Sequence, residues 1–406
     1  MNATLSTLLS DTSKSVRDPL WNDITLSESL YALYRHPILQ QLGRIKQLGP
    51  TFHLYPGAVH TRLNHSLGVY HVGHKLLEHL LKQTGQLPVS EQGIASFLVA
   101  LLVHDLGHFP YAHSLKDVIT VSHEALGAAA ILSDASLAEA IERCGADPHT
   151  VALIIDEQRA SSCAEIALYR SILSGPLDPD KLDYLNRDAF FCGVPYGRQD
   201  VLYIISKLQI ASGKLALREE AIASLEHLLF AKYLMYRNVY WHQRTRGATA
   251  MIKKATVAAL ADGTFTEDEL FGLDDEQFHH LAVAKQVASL PLFEAVHSNQ
   301  IYRCVAATAY TAATTPSPFV RHQREEELAA EHQLPPYSII IDIPESVSFE
   351  ADMPILTEGG SLVSGSEVEH LFSGPVNAEL AARLRKVRIF SSHPLSDQAI
   401  AEALSW

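Results

Sequence analysis

The run Leu101-Leu102-Val103-His104-Asp105-Leu106-Gly107-His108 does most to limit what this chain can fold into. Phe97 to Val103 is uninterruptedly apolar and reads as a buried helix, which carries an adjacent histidine and aspartate into the interior. Burying such a pair without a partner costs several kcal/mol, so a partner is expected. Two partners fit: each other, as a hydrogen bond inside a packed core, or a divalent metal, for which neutral imidazole and carboxylate are both good ligands. His108 follows His104 by one helical turn and so faces the same cavity.

Two further stretches favour the metal. Upstream, Arg62 and His65 share a helical face in Arg62-Leu63-Asn64-His65-Ser66-Leu67-Gly68-Val69. Downstream comes Leu177-Asp178-Pro179-Asp180-Lys181-Leu182-Asp183-Tyr184. Together they supply His65, His104, Asp105 and Asp180. Two imidazoles and two carboxylates suit Mn, Fe, Co or Ni, with Mg a further option and room for water or a phosphate oxygen.

On these residues the chain resembles the HD-domain metal phosphohydrolases, and more closely the branch of the SAM-and-HD-domain deoxynucleotide triphosphohydrolase and its bacterial relatives. The resemblance extends through Gly43-Arg44-Ile45-Lys46-Gln47-Leu48-Gly49, Tyr55-Pro56-Gly57-Ala58, His113, His123-Glu124 and Asp178 to Asp188. It implies a metal held by His65, His104, Asp105 and Asp180. It also implies catalytic roles for His123 with Glu124 beside it, and for His108 and His113 as second candidates for phosphate contact or proton transfer. Gln47 and Leu48 would meet the nucleoside, Arg62 and Lys181 the phosphates, Tyr184 and Asp188 the sugar, and Tyr240 the face of the sugar ring. Gln243 stands where the family carries a lysine.

Composition bounds the rest. The chain has 406 residues, 47% hydrophobic and 19% charged, ample for a large core. Its net charge of −14 argues against a protein built to coat nucleic acid, while leaving room for a local basic pocket. Cys144, Cys163, Cys192 and Cys304 show no metal or disulfide spacing, which points to a reduced, cytoplasmic compartment. No apolar run approaches the roughly 18 residues that would span a bilayer, and Met1-Asn2-Ala3-Thr4-Leu5 has no basic region of a signal peptide.

The expected fold class is mainly α: an HD-domain helical core over 21–275, a loose arm over 1–20, and a smaller C-terminal α/β appendage over 276–406 suited to subunit contacts. Long helices are expected over Thr61 to Gln83 and 91–107, two more over 136–175, and a helix starting at Asp178-Pro179 with Asp178 as cap. No strand pattern is read before about residue 300; Ile301 to Ala306, Tyr337 to Pro344 and Val387 to Phe390 are the predicted strands. A short helix from Ala378 is given Asn377 as its cap.

The reaction this implies is water attack at the α-phosphorus of a (deoxy)nucleoside triphosphate, giving nucleoside and tripolyphosphate. Nucleotide substrate, a possible need for a nucleotide activator, and a homo-oligomer (dimer or tetramer) follow from the same resemblance. Two alternatives stay open: an HD phosphohydrolase that acts on nucleoside monophosphates or removes phosphates stepwise, and a nucleotide sensor or nucleic-acid binder without turnover.

Overall fold

In the computed structural model the described residues are 12–84, 89–310, 314–349, 353–365, 368, 372 and 374–405. The architecture is mainly α. Strands β1 (Lys14–Asp18) and β2 (Asn22–Leu26) form an antiparallel hairpin, with Asn22 at φ 63 in its turn. The apolar periodicity of Ser27 to Gln47 is that of a single helix, but the stretch is divided into Glu28–Tyr34 and Pro37–Gln41. The reason is His36-Pro37: proline disfavours helix in the residue before it, and His36 is extended at ψ 136.

The long helices follow: α1 (Arg62–Thr84), α2 (Glu91–Val103), α3 (His123–Ser133), α4 (Pro148–Ile155), α5 (Ala164–Leu173) and α6 (Pro179–Cys192). Over 136–175 there are three helices rather than the two expected, Ala135–Glu142, α4 and α5, because Asp134 and Asp147-Pro148 each cap and start a separate helix. Beyond them lie α7 (Ile222–Met235), a five-residue π-helical turn Tyr236–Tyr240, and α8 (Gln243–Ala261), which is buried along most of its length.

Strands do occur before residue 300. β3 (Leu208–Ala211) and β4 (Lys214–Arg218) make a hairpin around Ser212 and Gly213, both at positive φ, the geometry a two-residue turn requires. β4 pairs in parallel with β7 (Pro354–Leu356), which pairs with β8 (Leu362–Ser364). A second sheet has the order β5-β9-β6, from β5 (Arg303–Ala309), β6 (Ile339–Asp342) and the buried central β9 (Lys386–Ser391). The helix expected from Ala378 spans Gly374–Leu384, so Asn377 lies inside it; its amide side chain instead bonds both backbone groups of Phe349.

The main core gathers α1, α2, α4, α5 and α6 around residues such as Phe97, Leu101, Tyr169 and Leu185. A second cluster joins Phe109 and Leu115 to α8, Phe278 and Phe390, so side chains from both sides of residue 275 share one apolar interior. The N-terminal segment is tied down as well: Asp18 accepts from Arg187 of α6 at 2.8 Å, and both side chains are buried. Residues 1–11 lie outside the described residues.

Candidate metal and nucleotide site

Each helix that serves the site begins or ends where its side chains are needed. Thr61 and Asn64 bond reciprocally at the start of α1, each through its side chain to the other's backbone N–H, which places Arg62 and His65 in the first turn. Ser90 caps α2, which is buried without a gap from Ser96 to Val103, and the helix stops at Val103 with His104 as its C-cap. Ser122 caps α3 just before His123, and Asp178 caps α6 with Pro179 in the first turn, as the sequence predicted.

Two glycines permit the close approaches. A Cβ on Gly68 would lie 1.8 Å from Asp183 Oδ1, so only glycine lets that carboxylate reach α1. A Cβ on Gly107 would meet the His123 carbonyl at 2.0 Å, so only glycine lets α3 start against the His104-Asp105 corner.

These approaches bring together two trios of metal-capable atoms, His65, His104 and Asp180, and Asp105, His108 and His123. His65 Nε2 is 2.8 Å from Asp180 Oδ1 and 3.9 Å from Asp105 Oδ2. Asp105 Oδ1 is 3.4 Å from His104 Nε2 and 3.2 Å from His108 Nε2, so this one carboxylate touches both trios. The His123 ring stacks on His108 at 4.0 Å, and its Nδ1 is 3.3 Å from Glu124.

Tautomers follow from the partners. His104 Nδ1 is 3.0 Å from the Leu101 carbonyl, which can only accept, so in the neutral ring Nε2 carries the lone pair. That nitrogen is buried with no hydrogen-bond partner among the described residues. His65 Nδ1 is 2.8 Å from Asp183 Oδ2, an arrangement that turns Nε2 toward Asp180. An orphaned imidazole nitrogen beside a second imidazole and two carboxylates is a donor set that fits a divalent transition metal.

Electrostatics bear on protonation. Burial alone would lower His65, but the carboxylates of Asp180 and Asp183 outweigh it and lift the ring to about 10. Burial opposes ionisation of Asp105, yet Arg62, His104 and His108 hold its carboxyl well below the ordinary range. Burial, Arg62 and His123 push His108 well down, and burial lowers His123 despite Asp105 and Glu124. Both stacked rings are therefore neutral at pH 7.

Arg62 is buried and donates one N–H to Asp105 at 2.7 Å, while its Nε and Nη2 have no hydrogen-bond partner among the described residues. Asp188 accepts from Tyr240 at 2.6 Å and, at its other oxygen, from His60 Nε2 at 2.8 Å. Tyr184, half-buried on the same helix, has its phenol pushed well up by burial, with Tyr236 and nearby carboxylates contributing. Gln47 is buried, its N–H donates to the His60 carbonyl at 2.9 Å, and Leu48 packs against the main core. Lys181 is directed to Asp178 (2.5 Å) and the Gly175 carbonyl (3.0 Å), so it serves the start of α6 as well as neighbouring the cluster. The side chain of His113 lies outside the described residues.

Residues 199–380 match the family described as an HD associated region. The uncharacterized protein YwfO of Bacillus subtilis is 32% identical over 243 residues, covering 59% of this chain and 54% of that protein. Human deoxynucleoside triphosphate triphosphohydrolase SAMHD1 is 26% identical over 286 residues, covering 61% of this chain and 45% of that protein. The chain thus spans about half the length of these relatives. A crystal structure of a phosphohydrolase from Bacteroides thetaiotaomicron aligns with a TM-score of 0.73 at 23% identity, covering 94% of this chain and 100% of that one.

The chain resembles the HD-domain phosphohydrolases. The solved structure carries the likeness of fold, and the curated sequences carry the likeness of sequence. Within this HD-like frame, sequence reading gave no role to His60 or Asp183. Asp183 sits in the same α6 stretch as Asp180, one turn on, a spacing that signals a second inward carboxylate. His60 had no such signal: it sits in a loop, and the partner that explains it, Asp188, is far away in sequence.

Proposed function

We propose that this chain is a metal-dependent phosphohydrolase acting on (deoxy)nucleoside triphosphates, with nucleoside and tripolyphosphate as products. The observation that carries this reading is Arg62: a buried guanidinium, partly satisfied by Asp105, whose Nε and Nη2 make no hydrogen bond among the described residues beside the two trios. A buried cation with open donors is suited to a phosphate oxygen.

His65, His104, Asp105 and Asp180 would hold the metal, which when bound supplies Lewis-acid charge to a phosphoryl oxygen and acidifies water. The protein's own part is placement and charge neutralisation, which dominate phosphoryl transfer. Arg62 would bind a phosphate oxygen, and Asp188, fixed by His60 and Tyr240, would accept a hydrogen bond from a sugar hydroxyl. His123 is neutral in the free protein; a polyphosphate beside it would raise its affinity for a proton. It would then give that proton to the leaving oxygen, with Glu124 orienting Nδ1. A nucleotide activator and a homo-oligomer belong to the same proposal.

One observation favours a second reading, hydrolysis of a shorter phosphate ester. The Lys181 ammonium is drawn to Asp178, which reduces the positive charge aimed at a triphosphate tail.

The deciding assay incubates the purified, Mn-loaded protein with each of the four deoxynucleoside triphosphates, with and without GTP, and separates products by anion exchange. Deoxynucleoside plus tripolyphosphate supports attack at the α-phosphorus. Orthophosphate or pyrophosphate reassigns the substrate pose. His104→Ala and Asp180→Ala should each lose both bound metal and hydrolysis; turnover without metal in either variant would sink the scheme.

A further inference from the structure

One carboxylate outside the two trios joins both walls of the cleft. Asp275 is 4% exposed and opens the helix Asp275–Lys285. Its Oδ2 accepts the backbone N–H of Lys46 at 3.0 Å, and its Oδ1 accepts the backbone N–H of Tyr111 at 2.9 Å. The Lys46 ammonium lies 3.6 Å from the same Oδ2.

The two amides belong to different walls. Lys46 bridges to Thr61, and Ile45 and Gln47 bond the backbone of Arg62 and His60, so this segment carries the Gln47, His60 and Arg62 side of the cleft. Tyr111 belongs to the connection that leaves His108 and leads toward α3, the side of the stacked His108 and His123 rings. Tyr111 is held at φ 56, a left-handed conformation unfavourable for a residue with a Cβ, and its ring packs edge-on against Phe278 of the Asp275 helix. Gly49, also left-handed, lies close enough that a Cβ there would be 3.4 Å from the Tyr111 carbonyl. The neighbouring residues strengthen the attachment: Asp274 pairs with Arg44 at 2.5 Å, and Gln41 donates to the Gly272 carbonyl.

We propose that Asp275 is a positioning residue, a clamp that fixes the separation between the nucleoside-facing wall and the histidine-facing wall. The chemistry of the side chain suits this use. An ionised carboxylate accepts at both oxygens, so it can take one N–H from each wall; an asparagine of the same shape offers one acceptor and turns a donor toward the other N–H. The catalytic part of this proposal rests on the cleft being the hydrolytic site proposed above.

The test compares full-length, Mn-loaded wild type, Asp275→Asn and Asp274→Asn by steady-state kinetics, metal content and amide hydrogen exchange. Asp274→Asn is the control: it gives up the charge of the Arg44 pair, which is worth little because the Arg44 side chain is exposed, while asparagine still caps the helix and both Asp275 bonds stay in place. In Asp275→Asn, exchange should accelerate in residues 43–50 or 108–115 while α1 keeps its protection. Its kcat should fall by about ten- to a hundredfold at unchanged metal content, with KM moving by less than roughly threefold, because small misplacements act on the reacting geometry. Unchanged exchange in both segments overturns the clamp. Faster exchange with wild-type kcat overturns its positioning role, as does an equal loss in Asp274→Asn. If wild type hydrolyses none of the nucleotides, the proposed function fails, and the exchange arm alone decides whether the clamp exists.

Discussion

Asp188 has both oxygens engaged, by the Tyr240 hydroxyl and by His60, yet each carboxylate oxygen keeps a second lone pair. The two neighbours therefore aim Asp188 rather than consume it. His60 is fully buried, stacks on Phe191 at 4.6 Å, and leaves its Nδ1 without a hydrogen-bond partner. Its contribution is to hold one carboxylate rotamer. Substituting His60→Ala removes that donor and should raise KM for a deoxynucleotide by about tenfold, in line with the loss of a buried charge-assisted hydrogen bond. Metal content should not change. Equal KM values for the variant and wild type in initial-rate assays would show that Asp188 needs no help from His60.

At the scale of elements, α8 buries three cations, each beside a carboxylate from another segment. Arg246 bonds Asp342 of β6 through two nitrogens, Lys253 pairs with Asp117 at 2.5 Å, and Lys254 with Glu325 at 2.6 Å. Removing one partner of such a pair strands the other, so Asp342→Asn should destabilise the fold by about 3–5 kcal/mol, measurable by urea unfolding. The pH dependence has a definite sign. Burial opposes ionisation of Asp342, but Arg246 outweighs it and holds the carboxyl below its ordinary value. A depressed carboxyl contributes fully above the unfolded-state value of about 4 and is lost as pH falls through the folded value. Wild type should therefore lose more stability than Asp342→Asn between pH 5 and the acid limit; parallel curves would refute this. The same pairs show why only part of the chain was legible. The His104-Asp105 corner, the caps at Ser122 and Asp178 and the β9 strand are local patterns, and they were readable. The Leu208–Arg218 hairpin has a local signature too, a Ser212-Gly213 turn flanked by alternating apolar residues, and it corrects the expectation of no strand before about residue 300. Arg246 with Asp342 and Asp275 with Lys46 and Tyr111 join residues from distant stretches, and no local period encodes them.

For the whole molecule, the N-terminal hairpin and the candidate metal cluster are one connected system. Asp18 bonds Arg187, Arg187 bonds Asp183 through Nε and Nη2, and Asp183 bonds His65. Trp21 adds its indole N–H to Asp183. Asp18→Asn should cost about 1.5–3 kcal/mol, the scale of a hydrogen bond to a charged group. It should also weaken metal binding, but by less than the ten- to hundredfold loss expected of Asp183→Asn, which touches His65 directly. Metal titration of the apoproteins checks the ranking, and equal losses in the two variants would contradict it. Another long-range tie is the parallel pairing of β4 with β7, Leu217 opposite Ile355 and Arg218 opposite Leu356. A ribosome makes the hairpin well before it makes Pro354–Leu356. During that interval the outer edge of Lys214–Arg218 presents unpaired backbone groups. A nascent chain in this state can bond to another strand as readily as to its own. The later strand thus seals an edge that the growing polypeptide must carry open, and the stretch between them sets how long a chaperone has something to shield.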